Sequence, residues 1–299
     1  MTTAIFTEVA AKMETARVTG RRVSLSGMLK ILGVSRSGYR AFLKRRTTET
    51  QQRKERVKQR ILEIYDSSHQ NYGAPKIARE LQKEGERISE RTVGIYMKEM
   101  GIRAQWLTPW IATTVDSDFS KELHNILDEQ FNPDRPNAVW CTDITYIYTN
   151  EGFAYLTSVM DLFSRKIIAW ALADTLEARY VVEAINLAKS RRETDKPLIL
   201  HSDRGSQFVS QAYKEATEKF QLSYSHKGYP YDNACIESLH SLIKREWLNR
   251  FRIESISRAY TLVFEYIETF YNTVRIHSHC DYMSPDQFER LYQKVCSVA

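Results

Sequence analysis

The rhythm of apolar and polar positions changes once along the chain, between residues 103 and 138. Before that stretch, apolar residues recur three or four apart, the spacing of helices with one buried face. After it, runs rich in β-branched and aromatic residues alternate with turn residues, the habit of strands. Residues 1–20 show no readable pattern. A short helix then ends at Gly33, a natural place for a left-handed residue, and Ser35 is placed to cap the next helix. That second helix carries Arg36, Arg40 and Lys44 at intervals of four, beside Tyr39, Phe42 and Leu43. Helix, glycine turn and capped helix with a basic face is the helix-turn-helix pattern; a purely structural helical hairpin has the same spacing.

Residues 47–52 read as a linker, and a helix follows to Tyr65. Tyr72-Gly73-Ala74-Pro75 breaks the chain, and Pro75 suits the first turn of a helix through Leu81. Past Gly85, Ser89 is placed to cap a helix through Met100 that stops at Gly101. Arg87, Arg91 and Lys98 fall on its polar side, which makes a second helix-turn-helix pattern. Residues 103–136 read as a connector, with Trp106, Pro109 and Trp110 in it and Pro133 and Pro136 at its exit.

From Ala138 the spacing predicts a strand containing Asp143, a hairpin turn at Asn150-Glu151-Gly152, and a second strand over 153–160 leading to Asp161. Ser164-Arg165 turns the chain into a third strand over 166–172. Asp174, with Glu177 three residues on, has the form of a capping box for a helix through Lys189. A fourth strand ends at Asp203, a helix follows over about 210–220, and a short strand covers 222–225. The remainder is helical from Ile236, and mostly so after Ser257. Three antiparallel strands, then helix, strand, helix, strand and helix, form a mixed five-stranded α/β domain preceded by all-α units.

Length and charge sharpen this division. At 299 residues the chain exceeds one average domain, and 42% hydrophobic residues suffice for real cores. The net charge of +6 is uneven: residues 1–100 hold 21 Lys and Arg against 11 Asp and Glu, and the rest is mildly acidic. A basic front suggests a polyanion partner, and solvated helices would give the same balance. The four cysteines, Cys141, Cys235, Cys280 and Cys296, form no CxxC pair, which disfavours a zinc site or a disulfide scaffold. No apolar run is long enough to span a membrane, and the N-terminus lacks a signal peptide's apolar core, so a cytoplasmic protein is expected.

Three acids stand out against their surroundings. Asp203 follows Leu198-Ile199-Leu200, so it stands at the carboxyl end of a buried strand, where open sheets present ligand-binding groups. Asp143 lies inside a mostly apolar strand, and a buried carboxylate needs a donor, a cation or a metal. Glu237 falls on the polar stripe of a helix, with His240, Ser241 and Lys244, opposite Ile236, Leu239, Ile243 and Trp247. Taken singly, Asp203 could cap a loop and Glu237 could be a surface charge. Together they make an all-oxygen donor set of the kind hard Mg²⁺ prefers. Asp161 is expected to be structural, pairing with Arg165, and His201 to be neutral or to contact phosphate.

Several words around these acids resemble the DDE transposases of the bacterial insertion-sequence-three family and, more distantly, retroviral integrases. They are Thr142-Asp143-Ile144-Thr145-Tyr146, His201-Ser202-Asp203-Arg204-Gly205-Ser206-Gln207, Tyr231-Asp232-Asn233-Ala234 with Glu237-Ser238, and Leu242-Ile243-Lys244-Arg245-Glu246. Tyr271-Asn272-Thr273-Val274-Arg275-Ile276-His277-Ser278, followed by Ser284-Pro285, matches the family's carboxyl-terminal pattern. The spacing departs slightly: 33 residues separate Asp203 from Glu237, where the family usually has 35.

The resemblance implies an RNase H-like integrase catalytic core over 137–252, with a C-terminal helical extension over 253–299. Helix-turn-helix units over 1–50 and 51–104 and a connector over 105–136 precede it. It implies Asp143, Asp203 and Glu237 as catalytic, Mg²⁺-holding residues, with Mn²⁺ as a substitute. The activity implied is DNA strand cleavage and strand transfer at insertion-sequence ends. Lys244, Asn233, Arg36, Arg40, Lys44, Arg91 and Arg275 are the expected DNA contacts, with His277 beside them. Expected partners are element-end and target DNA, further copies of the chain on that DNA, and an upstream-frame product fused by frameshifting, in a bacterial, nucleoid-associated protein. A nuclease that cuts without joining, and a DNA-binding regulator or a partial subunit active only when fused, are the alternatives.

Overall fold

The computed structural model describes residues 2–44, 48–104, 123–226 and 229–298. Two compact units divide the chain, Met1–Arg60 and Ile61–Ala299. In the first, α1 (Thr2–Val18), α2 (Leu25–Ile31) and α3 (Arg36–Lys44) enclose a small core of Phe6, Val9, Leu29 and Tyr39. Ser24 caps α2 by accepting from the Gly27 amide, and Ser35 caps α3 by accepting from the Gly38 amide at 3.0 Å. Gly33 takes a φ of +67° between them, the left-handed turn predicted there. Gly38 is required for a different reason: a Cβ would stand 2.8 Å from Ser35 Oγ and 3.2 Å from the Phe6 ring.

Two features of this region escaped the periodicity. α1 is a full helix, although small residues spread around it leave no apolar stripe. The stretch read as a linker begins α4 (Glu49–Ser67) instead. Its cap is a reciprocal pair: the Gln51 amide donates to Thr48 Oγ1, and the Thr48 amide donates to Gln51 Oε1.

The second unit takes in the end of α4 from Ile61 and then a helix pair, α5 (Ala74–Lys83) and α6 (Glu90–Glu99), which buries Ile77, Ala78, Leu81, Val93 and Met97. Pro75 lies in the first turn of α5, and Ser89 caps α6 through the Thr92 amide. Trp106, Pro109 and Trp110 of the connector lie outside the described residues.

Five strands follow: β1 (Val139–Thr149), β2 (Gly152–Asp161), β3 (Ile167–Ala173), β4 (Ile199–Ser202) and β5 (Gln221–Tyr224). Their order is β3-β2-β1-β4-β5; β1 to β3 pair antiparallel, while β4 and β5 run parallel to β1. Helix α7 (Ala178–Arg191) connects β3 to β4, and α8 (Gln211–Ala216) connects β4 to β5. α7 packs Val181, Ala184, Ile185 and Ala188 on one face of the sheet, with Trp140, Val159 and Leu200. α9 (Ala234–Glu246) and α10 (Ile256–Phe264) cover the other face, with Cys141, Ile147 and Leu156. A wide π-helical stretch, Glu265–Tyr271, prolongs α10, and α11 (Pro285–Val298) ends the described chain.

The predicted capping box at Asp174 does not form. α7 starts later, at Ala178, and its flanking Glu177 makes no side-chain cap, because Glu177 instead accepts from Thr175 and Arg179. α8 is also shorter than the pattern suggested, ending at Ala216.

Asp161 is structural, but not through Arg165. Its two oxygens accept from the Asn137 and Phe163 amides at 2.8 and 2.9 Å, while Arg165 donates to the Phe131 and Leu162 carbonyls and to Asn132. Burial raises the Asp161 pKa to about 6.

Candidate active site

The sheet sets two of the acids side by side. Val139, Trp140 and Cys141 of β1 pair in parallel with Ile199, Leu200 and His201 of β4. Asp143 and Asp203 each lie two residues beyond the last of these pairs. Asp143 remains within β1, while Asp203 is the first residue beyond β4. There the chain turns: the Gly205 amide donates to Asp203 Oδ1 at 2.9 Å. A Cβ on Gly205 would lie 3.1 Å from that oxygen, so the turn needs glycine for closeness.

Helix α9 brings the third acid. Its apolar side, Ile236, Leu239 and Ile243, is buried against β1 and β2, which leaves Glu237 exposed at their edge. Partial desolvation first, and then the Asp143 carboxylate, raise the Glu237 pKa above its ordinary value. Lys244, two turns along, feels the same carboxylate: desolvation lowers its pKa and Asp143 opposes that. The Lys244 ammonium lies 4.3 Å from the centre of the Tyr146 ring, three residues beyond Asp143 on β1.

Two residues that the sequence pattern did not single out complete this neighbourhood. His240 is buried one turn after Glu237, with Nδ1 3.3 Å from Asp143 Oδ2. Asp232 is also buried; its Oδ2 accepts from the His226 amide at 2.6 Å and sits 2.8 Å from His226 Nδ1, which ties the approach to α9. The placing of His240 on the polar stripe of α9 was the available sign of its position.

The Asp143 carboxylate thus bears on Glu237, and Asp203 follows the strand that pairs with that of Asp143. Among the described residues, no three His, Cys, Asp or Glu side chains stand close enough to share one ion. The donor chemistry nevertheless fits a hard divalent cation: every donor would be a carboxylate oxygen, and a cation would favour the charged form of Glu237 that desolvation and then Asp143 disfavour.

Other expected site residues fall elsewhere. Arg36, Arg40 and Lys44 are exposed along α3, and Arg91 is exposed on α6. Asn233 is buried at the start of α9, and its Oδ1 has no hydrogen-bond partner among the described residues.

Arg275 is turned into the protein. It is buried, with Nε and Nη2 each 2.7 Å from the two oxygens of Glu246, which also accepts from the Tyr266 hydroxyl. Burial and the nearby Arg275 guanidinium lower the His277 pKa to about 3. His201 is fully buried between Ser223 Oγ and Ser225 Oγ, at 2.9 and 3.1 Å, and burial lowers its pKa to about 4. It is a packed neutral histidine and not a phosphate ligand. Cys141 is likewise a core residue.

Comparison with known proteins matches these elements. Residues 133–230 match an integrase core domain family, residues 218–285 a second integrase core domain family, and residues 52–109 an HTH-like domain family. The transposase InsF for insertion sequence IS3A of Escherichia coli K12 is 35% identical over 272 residues, which is 89% of this chain and 94% of that one. The chain belongs to the IS3 transposase family. The transposase for insertion sequence element IS904 of Lactococcus lactis is also 35% identical, over 82% of this chain and 98% of its own.

Among solved structures, the HTLV-2 integrase catalytic core domain in complex with magnesium is 19% identical, with a TM-score of 0.39. It covers 52% of this chain and 97% of its own. The catalytic core domain of BIV integrase is 16% identical, with a TM-score of 0.41, over 54% of this chain and 99% of its own. The strand order and the family matches identify the second unit's sheet as an RNase H-like core. As an IS3-type transposase, the protein is a polynucleotidyl transferase. Among the described residues, no helix is long and apolar enough to cross a membrane.

Proposed function

We propose that the protein binds insertion-sequence ends and cuts and joins DNA strands at a site made by Asp143, Asp203 and Glu237. What supports this reading is the order of three chain segments: β1 and β4 pair in parallel up to Cys141 and His201, two residues short of Asp143 and Asp203, and the Asp143 carboxylate acts on Glu237 of α9. The three carboxylates would hold Mg²⁺, with Mn²⁺ as a substitute. When bound, the metal supplies Lewis-acid activation of the attacking oxygen and stabilises the leaving oxygen.

The chain's own groups do the positioning that dominates phosphoryl transfer. Lys244, its ammonium partly desolvated over Tyr146, is poised to hold a phosphate oxygen of the scissile strand. Water attacking phosphorus breaks the bond to the 3′ oxygen and releases a 3′-hydroxyl. That hydroxyl, attacking a target phosphorus, forms the new strand as the target's own 3′ oxygen leaves. No protein side chain is bonded to DNA in either step.

The exposed cations Arg36, Arg40, Lys44 and Arg91 would grip the phosphate backbone of the element end. In functional terms, residues 1–50 and 51–104 would read DNA, 105–136 would connect, 137–252 would carry the chemistry and 253–299 would brace it. Partners would be element-end and target DNA, further copies of this chain, and an upstream-frame product.

The test is incubation of purified protein with labelled linear DNA bearing the element's own end, with Mg²⁺ or with EDTA. The expected result is Mg²⁺-dependent nicking at the end together with joined products. Tight specific binding with no cutting under any divalent metal would overturn the catalytic reading and favour a regulator or a partial subunit.

A further inference from the structure

We infer that His240 is a positioning residue for Asp143, holding one oxygen of that carboxylate so that its other oxygen is presented to the site. The inference rests on the reading of Asp143 as a metal-holding acid. Three segments meet at this one ring. His240 stands three residues after Glu237 on α9 and is 5% exposed. Its Nδ1 lies 3.3 Å from Asp143 Oδ2 on β1, and its Nε2 lies 3.3 Å from Ser158 Oγ on β2. Asp143 and Ser158 face each other across the β1–β2 ladder, and Ser158 is fully buried.

One hydrogen-bond arrangement links all three groups. With the Ser158 hydroxyl donating to Nε2, Nδ1–H is the group that faces Asp143 Oδ2 at 3.3 Å. Ser158 then selects the tautomer, and the tautomer fixes the carboxylate. A carboxylate held through one oxygen from the core side has lost most of its rotational freedom. The other oxygen is the one left to a cation, in the way that outer partners orient metal-binding side chains. The same ring sets the distance between the strand that carries Asp143 and the helix that carries Glu237.

The two ring nitrogens can be separated by substitution. His240→Asn retains a donor near the Nδ1 position and loses the reach to Ser158. His240→Gln retains the reach of Nε2 and loses the donor to Asp143. Both shrink the packing and leave a polar amide in its place.

The measurement is Mn²⁺ affinity of the full chain without DNA, read by the paramagnetic resonance of free Mn²⁺, alongside end cleavage and thermal melting. His240→Gln is expected to weaken Mn²⁺ binding about 10- to 100-fold, with cleavage falling in parallel. His240→Asn is expected to keep both near the wild-type level. Equal losses in the two variants, or none in His240→Gln, would overturn the inference in favour of plain packing.

Asp143→Asn separates the two readings. If it lowers Mn²⁺ affinity while His240→Gln does not, positioning fails and the metal site stands. If Asp143→Asn binds Mn²⁺ as the wild type does, the metal-site reading fails and takes this inference with it. Should the His240 variants fail to fold, Ser158→Ala leaves the ring in place and removes the tautomer choice. It is expected to weaken Mn²⁺ binding several-fold, and unchanged binding would overturn the inference.

Discussion

Arg275 shows how a single residue changes meaning once its partner is known. In the sequence it is a cation in a basic, aromatic word. In the structure it is closed inside the protein on Glu246, 29 residues earlier. Removing one partner of a buried ion pair strands the other charge. Arg275→Met should therefore cost about 3–5 kcal/mol of stability, read as a lower urea midpoint. The salt slope of DNA binding by the folded protein should not change, whereas loss of a phosphate contact would lower it by about one.

His277 gives a pH prediction from the same neighbourhood. Its folded pKa, about 3, lies below its ordinary 6.5. The unfolded chain then binds the proton more readily, and the neutral ring favours the folded state above pH 6.5. That contribution is lost as pH falls from about 6.5 towards 3. Denaturation at pH 7 and at pH 5 should show wild type losing more stability on acidification than His277→Asn, and equal losses would contradict the assignment. Nothing in the local sequence announces either result, because burial of a histidine depends on what packs over it.

At the scale of elements, most of the core was legible. Turn residues at Asn150-Glu151-Gly152 and at Ser164-Arg165 cut the chain into strands that form where the alternation placed them. The helical position of Glu237 followed from Ile236, Leu239 and Ile243. Two helix starts were missed for physical reasons. α1 has no stripe to read, and at α4 a capping pair, Thr48 with Gln51, sits inside what looks like a polar linker. The cap of α7 was misread because a matched pair of residues guarantees no geometry.

The turn after β4 offers a prediction of its own. Gly205→Ala would place a methyl 3.1 Å from Asp203 Oδ1 and 3.2 Å from Gln207 Oε1. The carboxylate must then move by a few tenths of an ångström. End cleavage should fall roughly 10- to 100-fold with the melting temperature nearly unchanged. Full activity in this variant would mean that the position of Asp203 is not critical.

Across the second unit, α5 and α6 are joined to the carboxyl-terminal part by specific polar contacts. The Tyr72 hydroxyl accepts from the Ile276 amide at 2.7 Å and donates to the Val274 carbonyl, Lys83 donates to the Tyr282 carbonyl at 2.6 Å, and the Arg79 guanidinium lies over the Tyr282 ring. Arg250 reaches back to the His69 carbonyl and Asn71. These contacts brace the helix pair against the end of the chain. None of them could be read from the sequence, since each joins residues roughly 180 to 200 positions apart.

The central claim is that Asp143, Asp203 and Glu237 act as one site. Groups that act as a unit are strongly non-additive, so the direct measurement is the rate of Mg²⁺-dependent end cleavage by Asp143→Asn, Asp203→Asn, Glu237→Gln and the triple variant, each on DNA that it binds normally. Each single change should abolish nearly all cleavage, and the triple variant should be no worse than the singles. A single variant that cleaves at the wild-type rate, or losses that multiply in the triple variant, would contradict the account.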